Sequence, residues 1–383
     1  MTLHRRLLIL VFAFAFSLQS LTAQDVQPQS GQLRISLVTC TSGNELYSIF
    51  GHSALRVIDY EKGQDLIFNF GLFDFGTPNF YLKFMQGKLK YMLGVQYTQD
   101  FMEQYRYEGR GVAEQVLNLT ESEKVEILER LFYLYEPQNR YYLYSFLFKN
   151  CTTELRDLLK EKTQLPQGES PSNFRQMINS SVKDMRWTKV GINLLLGSNL
   201  DKKISVFEGM FLPDSLYTGL AQSVSNGAPF VTETISLAPR EERSSVERTP
   251  FLLSPEFLFG LMLVLVLLSL FIPRLGFADN LVLWVNAIFG IVLPVIILMS
   301  DHVELQNNFN LLWCNPLYLA ILLTRFFRFR KTTLALAGAA LFSIAAMGFV
   351  WIAGIQGFEL SFGLIAASLA VALWRVILKC RKK

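Results

Sequence analysis

Among the 383 residues, the four cysteines and three histidines offer most of the nucleophilic and proton-transfer chemistry the chain can perform. Cys151 stands out by context. It lies in "FKNCTTELRDLLKE", where a polar turn gives way to a helical pattern: Asn150 can cap, Glu154 falls in the first turn, and Leu155, Leu158 and Leu159 share one face. A cysteine in a first helical turn gains from the positive end of the helix dipole and from free backbone N–H groups, both of which favour the reactive thiolate. Glu154 opposes this if it turns toward the sulfur. A thiol nucleophile also needs a partner that holds its proton and later delivers it to a leaving group. His52, in "YSIFGHSALRVIDY", opens a β-rich run directly after Gly51, a residue that permits an unusual backbone approach. One strand later, Asn69 in "LIFNFG" offers an amide able to orient the imidazole. On residue types alone the three positions fit equally a buried cysteine, a core histidine and a turn asparagine.

The remaining candidates are weaker. Cys314 lies in an apolar run, Cys380 in a basic tail and His4 in the leading segment. Cys40 follows a strand-like run and precedes the loop-like "TSGNE", with no evident source of activation; in an oxidising compartment it can pair with Cys151. His302, beside Asp301 in "SDHVELQNNFN", reads either as a substrate contact or as a hydrogen-bonding group at the end of a span. No metal-ligand spacing, phosphate-binding glycine loop or internal repeat is present, so no cofactor or metal is expected.

The elements that must position these groups fall into two regions. With 51% hydrophobic residues the chain is too apolar for an ordinary soluble enzyme of its length. The start, "MTLHRRLLILVFAFAFSLQSLTAQ", has a basic tip, an apolar run and small residues near Ala23, which predicts a signal peptide over residues 1–23. From Phe251 onward, five apolar runs near 256–273, 280–299, 309–324, 333–353 and 359–378 approach the ~20 residues that cross a bilayer, the third being short and containing Pro316. The links "RFFRFRK" and "LKCRKK" are basic, whereas "SDHVELQNN" and "AGIQGFE" hold no Lys or Arg. The positive-inside rule then puts the C-terminus in the cytoplasm and the region before Phe251 outside.

Residues 24–223 are expected to form one exported domain, joined by a linker over 224–250 to a membrane domain over 251–383. "QLRISLVTC", "HSALRVIDY", "DLIFNFGLF" and "KLKYMLGVQY" read as strands, and "TESEKVEILERLFYLYE" as a helix with Thr120 and Glu123 in a capping box and a stripe of Val125, Leu128, Leu131 and Phe132. The fold class is therefore an α+β domain followed by an all-α membrane domain of about five helices. The formal net charge of +4 sits largely in the cytoplasmic links, so no nucleic-acid partner is inferred.

"FGHSALRV" followed by "NCTTELRD" resembles the circularly permuted papain-like superfamily, in which the histidine strand precedes the helix that bears the cysteine. With "IFNFGLFDFGTPNF", "GMFLPDSL" and "NFNLLWCNPLYL", the chain from about Leu33 to Leu323 is similar to the bacterial lipoprotein N-acyltransferase family, Lnb. That resemblance implies Cys151 as nucleophile, His52 as general base and Asn69 as the third member. Many permuted relatives carry a second histidine at that third position, and this chain has none in the domain. It further implies an inner-membrane enzyme that moves a fatty acyl group from a phospholipid or from the lipoprotein's own glyceride to a lipoprotein's N-terminal amine, with His302, Asn150 and Thr152 contacting substrate. A membrane-anchored peptidoglycan hydrolase and a non-catalytic envelope scaffold are the alternatives. The aromatic stretch "LIFNFGLFDFGTPNFYLKF" fits either an acyl-chain groove at the membrane surface or ordinary core packing.

Overall fold

A computed structural model describes residues 33–45, 47–239 and 249–381. The predicted signal peptide and residues 240–248 of the expected linker lie outside the described residues.

Four strands form where alternation predicted them: β1 (Leu33–Cys40), β2 (His52–Asp59), β3 (Gln64–Leu72) and β4 (Lys90–Tyr97). They join β5 (Val112–Leu117), β6 (Tyr141–Leu143) and, after the short β7 (Val224–Ser225) and β8 (Ala228–Pro229), the edge strand β9 (Val231–Ala238). The antiparallel sheet has the order β6-β4-β3-β2-β1-β5-β9. Residues 224–238 are therefore part of the domain rather than linker. The reason is that Val231 to Ala238 pair with β5 and close the edge that β5 would otherwise leave open.

Side-chain alternation divides the core between the two faces of the sheet. Leu33, Ile35 and Leu37 of β1, with Leu55, Val57 and Phe68, pack under α3 (Glu121–Tyr135), α4 (Cys151–Leu159) and α7 (Pro213–Ala221). Val38, Cys40, Ala54 and Ile67 point the other way, onto Phe101, Met102 and Tyr105 of α2 (Thr98–Tyr107). The capping box of Thr120 and Glu123 is present at α3. The buried stripe of α3 runs through Ile127 and Leu131, while Val125 and Phe132 are exposed, so the helix is rotated from the expected face. Across the sheet, Glu114 is fully buried and accepts from Arg34 at 3.1 Å and Arg56 at 2.9 Å.

The C-terminal region contains five helices at the five apolar runs: α8 (Pro255–Leu268), α9 (Gly276–Met299), α10 (Leu317–Phe326), α11 (Arg330–Ile352) and α12 (Leu360–Arg381). Among the described residues, three helical segments, Pro273–Met299, Arg330–Ile352 and Leu360–Arg381, are long and apolar enough to cross a bilayer. Two of the five helices are shorter than the apolar runs that mark them, one of these being the third run, already read as short. Pro273 follows the end of the first helix, and residues 309–316 are a 3-10 turn and an irregular segment rather than the outer half of a helix. That irregular backbone is tolerated because it is buried in protein, with Asn310, Trp313, Cys314 and Asn315 all shielded. At the other end of the bundle, Arg375 pairs with Asp279 at 2.6 Å, and Ser269 bonds the same carboxylate at 2.7 Å.

Two further helices connect the regions, α5 (Phe174–Ser181) and α6 (Arg186–Leu195). Val190 of α6 belongs to the core of the membrane bundle. The last carbonyls of α6, orphaned by the helix end, accept from side chains of the other region: Asn308 donates to Leu194 and Leu195 at 2.9 Å each, and Asn310 to Asn193 at 2.9 Å. Trp313 in turn donates its indole N–H to Asn310 at 2.9 Å. The "NFNLLWCNP" motif is thereby explained as a joint between the two regions.

Glu114 gives a test of the sheet. Glu114→Ala strands two arginines over a buried site and is expected to cost about 3–5 kcal/mol, read as a lower thermal midpoint in detergent by intrinsic fluorescence. Glu114→Gln, which keeps an acceptor, is expected to lose less; equal midpoints for wild type and Glu114→Ala would refute the account.

Candidate functional site: a thiol and imidazole at the sheet end

The site is built where the start of β2 meets the start of α4. Cys40 and His52 are partners in the β1–β2 register. The turn before His52 requires Gly51: its φ is +82°, and a Cβ there would lie 2.8 Å from the Cys40 carbonyl oxygen. Continuing the register that pairs Leu55 with Phe68 sets Asn69 opposite Ala54, one diagonal step from His52 on the same face. The Asn69 Oδ1 is the partner of His52 Nε2. The imidazole and the Cys151 thiol stand close enough for each to shift the other's proton affinity.

Helix α4 delivers the thiol. Asn150 Oδ1 accepts from the N–H groups of Thr152 and Thr153 at 2.8 Å each, and Thr153 Oγ1 accepts from Asn150 N at 2.8 Å. The Asn150 amide also donates to the carbonyls of Phe146 and Phe211. Asn150 is only 4% exposed and Thr152 fully buried, with its hydroxyl bonded to Ser53 at 3.3 Å. Asn150 and Thr152, the two residues expected to contact substrate, position the helix that carries the thiol: Asn150 caps it and ties it to Phe146 and Phe211, and Thr152 ties it to β2.

Burial alone would raise the Cys151 thiol. The imidazolium charge of His52, its hydrogen bond, the Ser53 N–H and the Thr152 hydroxyl outweigh it and bring the thiol down to about 7. Burial likewise lowers His52, and the thiolate charge, its hydrogen bond and Asn69 turn the net direction upward. Both shifts favour the thiolate–imidazolium pair near neutral pH. At Cys40 burial outweighs the lowering effects of Arg110 and Tyr105 and pushes the thiol up to about 12. All four cysteines are free, so the expected option of a Cys40–Cys151 disulfide is not realised.

A loop of the membrane region reaches this site from behind. Glu304, 3% exposed, accepts at one oxygen from Ser145 Oγ at 3.1 Å and from Leu147 N at 3.2 Å. Those donors belong to the turn closed by Ser145 and Lys149, directly before Asn150. Nearby, Asp301 N donates to Gln86 O at 3.0 Å and His302 Nε2 bonds Phe84 O at 2.9 Å. His302 therefore fastens this loop to α1 (Phe80–Met85); it is not brought to Cys151 by any hydrogen bond. Sequence reasoning missed Glu304 although it stands two residues from His302, since the only signal was an acidic residue in a loop without basic ones.

Two outcomes follow from this geometry. The rate of Cys151 alkylation by iodoacetamide, followed by mass spectrometry of its peptide, is expected to rise with pH to a half-maximum at about 7, and to fall about tenfold per unit below it as the thiolate is protonated. In His52→Ala the profile moves to alkaline pH, and Cys40 stays unmodified until the protein unfolds; an unchanged profile would remove His52 from the site. Glu304→Ala is expected to quicken amide exchange at Leu147 and neighbouring residues by about tenfold, the loss of one buried hydrogen-bonded contact, while Glu304→Gln stays near wild type. No change in Glu304→Ala would show that the turn stands without the carboxylate.

Comparison with known families agrees with this two-part build. A family model described as the Lnb N-terminal periplasmic domain matches residues 22–180, which include His52, Asn69 and Cys151. A second, described as the Lnb transmembrane domain and named for five helices, matches residues 242–383, from before α8 through α12 and including Glu304. No curated protein and no solved structure gives a significant match. With both halves matched, each by the corresponding model, the chain belongs to the Lnb family of membrane proteins with a periplasmic N-terminal domain.

Proposed function

We propose that this protein is a thiol-dependent acyltransferase that carries a fatty acyl group from a lipid ester, through a Cys151 thioester, to the N-terminal amine of a lipoprotein. The observation that carries the reading is the Cys151, His52 and Asn69 constellation on a domain seated on membrane helices. In the first half-reaction the thiolate attacks the ester carbonyl and a C–S bond forms. The C–O bond then breaks as the alcohol leaves with the His52 proton. In the second, an amine with a pKa of ~8 arrives partly neutral and attacks the thioester carbonyl; a C–N bond forms, the C–S bond breaks to release the Cys151 thiolate, and the amine's proton passes to His52, which restores the pair.

The order of parts, histidine strand first and cysteine helix later, supports the permuted papain-like reading of residues 24–238. The basic segment Arg325 to Lys331 and the basic tail support a cytoplasmic C-terminus, with Cys151 on the opposite side. Membrane substrates fit the surroundings of the site. Helix α1 leaves Tyr81 74% exposed, together with Leu82, Phe84 and Met85, and its last turn is bonded to Asp301, two residues beyond the membrane helix α9. Exposed aromatic and aliphatic side chains at that level suit the headgroup and acyl boundary, where ester bonds lie.

The test is mass spectrometry of the N-terminal lipopeptide of a reporter lipoprotein in a host lacking its own N-acyltransferase. The wild type is expected to add an N-acyl chain, and Cys151→Ala and His52→Ala to leave the amine free. A folded, inserted wild-type protein that leaves the amine free would overturn the reading and direct attention to muropeptide hydrolysis.

A further inference from the structure

The peptide of Gly71 runs past the nucleophile at close range. Its φ of +87° is one that side-chain-bearing residues rarely adopt, and a Cβ built there would lie 3.5 Å from Cys151 Cβ, 3.8 Å from Cys151 N and 3.9 Å from the Tyr142 hydroxyl oxygen. The missing side chain thus leaves a methyl-sized recess bounded by two hydrogen-bond donors beside the sulfur. Neither donor is used. Among the described residues no acceptor takes the Cys151 N–H, since Asn150 Oδ1 serves Thr152 and Thr153 and Asn150 O serves Glu154. The Tyr142 hydroxyl is buried without a hydrogen-bond partner. With no acceptor beside it among the described residues, the hydroxyl proton is free to donate.

An orphaned buried hydroxyl costs stability and calls for an occupant. Tyr142 is set by β6, whose register pairs it with Tyr91 at the edge of the sheet, and Lys149 Nζ stands 5.4 Å from its ring centroid. Burial, with the charges of the thiolate and Glu154, pushes its hydroxyl well above the ordinary tyrosine range, so it stays protonated at any working pH.

We propose that Tyr142 is a catalytic residue whose hydroxyl, together with the Cys151 N–H, binds the oxyanion of each tetrahedral intermediate in the recess at Gly71. The assignment rests on the acyl-transfer reading above. When the thiolate adds to the carbonyl carbon, the π electrons move to oxygen, and the new negative charge meets two fixed donors out of water. When the intermediate collapses, the carbonyl re-forms, the alkoxide leaves with the His52 proton, and the donors are released unchanged. The ground-state carbonyl gains less from them than the oxyanion does, so the effect falls on kcat.

The test compares wild type, Tyr142→Phe and Gly71→Ala in detergent with a p-nitrophenyl acyl ester, reading the burst of p-nitrophenolate, and with iodoacetamide, whose displacement at carbon forms no oxyanion. Tyr142→Phe is expected to slow the burst about 10²-fold, the usual loss for one oxyanion donor, with KM and the alkylation profile of Cys151 unchanged. Gly71→Ala, which fills the recess, is expected to abolish the burst. A Tyr142→Phe burst within twofold of wild type overturns the assignment while leaving the acyl-transfer reading intact. Loss of alkylation in step with the burst also overturns it, since Tyr142 would then act on the fold or on the thiol. No burst from wild type, with alkylation normal, overturns both.

Discussion

Charge is hard to keep out of water, and the Cys151–His52 pair places two charges there. A buried thiolate beside a buried imidazolium is opposed by desolvation at both members, and desolvation is the largest single influence on each. Much of the surrounding structure can be understood as compensation. Asn69 comes from the neighbouring strand to hold His52, Ser53 and Thr152 supply donors to the sulfur, and Asn150 consumes the competing N–H groups of the first helical turn. At Cys40, a register partner of His52, the help of Arg110 and Tyr105 is too small to offset burial, and the residue stays a protonated thiol in the core.

The compensation is assembled from distant parts of the chain. β2 and β3 provide His52 and Asn69, α4 the Cys151 thiol, and the loop between α9 and α10 the carboxylate that fixes the turn before α4. The membrane region is therefore more than an anchor. It contributes a buried acceptor to the periplasmic domain, and it caps α6 with Asn308 and Asn310. Separating the two regions would leave Leu147 N and the α6 carbonyls without partners.

Much of this was legible in the sequence, and the reasons are local. Period-two alternation marks β1 to β4, a capping box marks α3, and Asn150 before a helical stripe marks α4, each a signal carried within about ten residues. Elimination narrows the domain to one histidine and two cysteines, and the grouping of Cys151, His52 and Asn69 rests on the family resemblance. What escaped depends on contacts distant in sequence. β9 looks like a polar linker until β5 supplies its partner, and Glu304 and Tyr142 acquire meaning only when the sheet and the membrane loop bring them to α4. The third apolar run also misled, because its composition is that of a span while Trp313 to Pro316 interrupt the helix.

The docking of the Ser300 to Asn310 loop onto α1, the pre-nucleophile turn and the end of α6 has a geometric meaning beyond the bonds themselves. Attachment to three separate elements fixes the loop against the domain, and with it the position of the Cys151 sulfur relative to the ends of α9 and α10. The span between the thiol and the helix ends is therefore a dimension of the fold itself and is not set by a hinge.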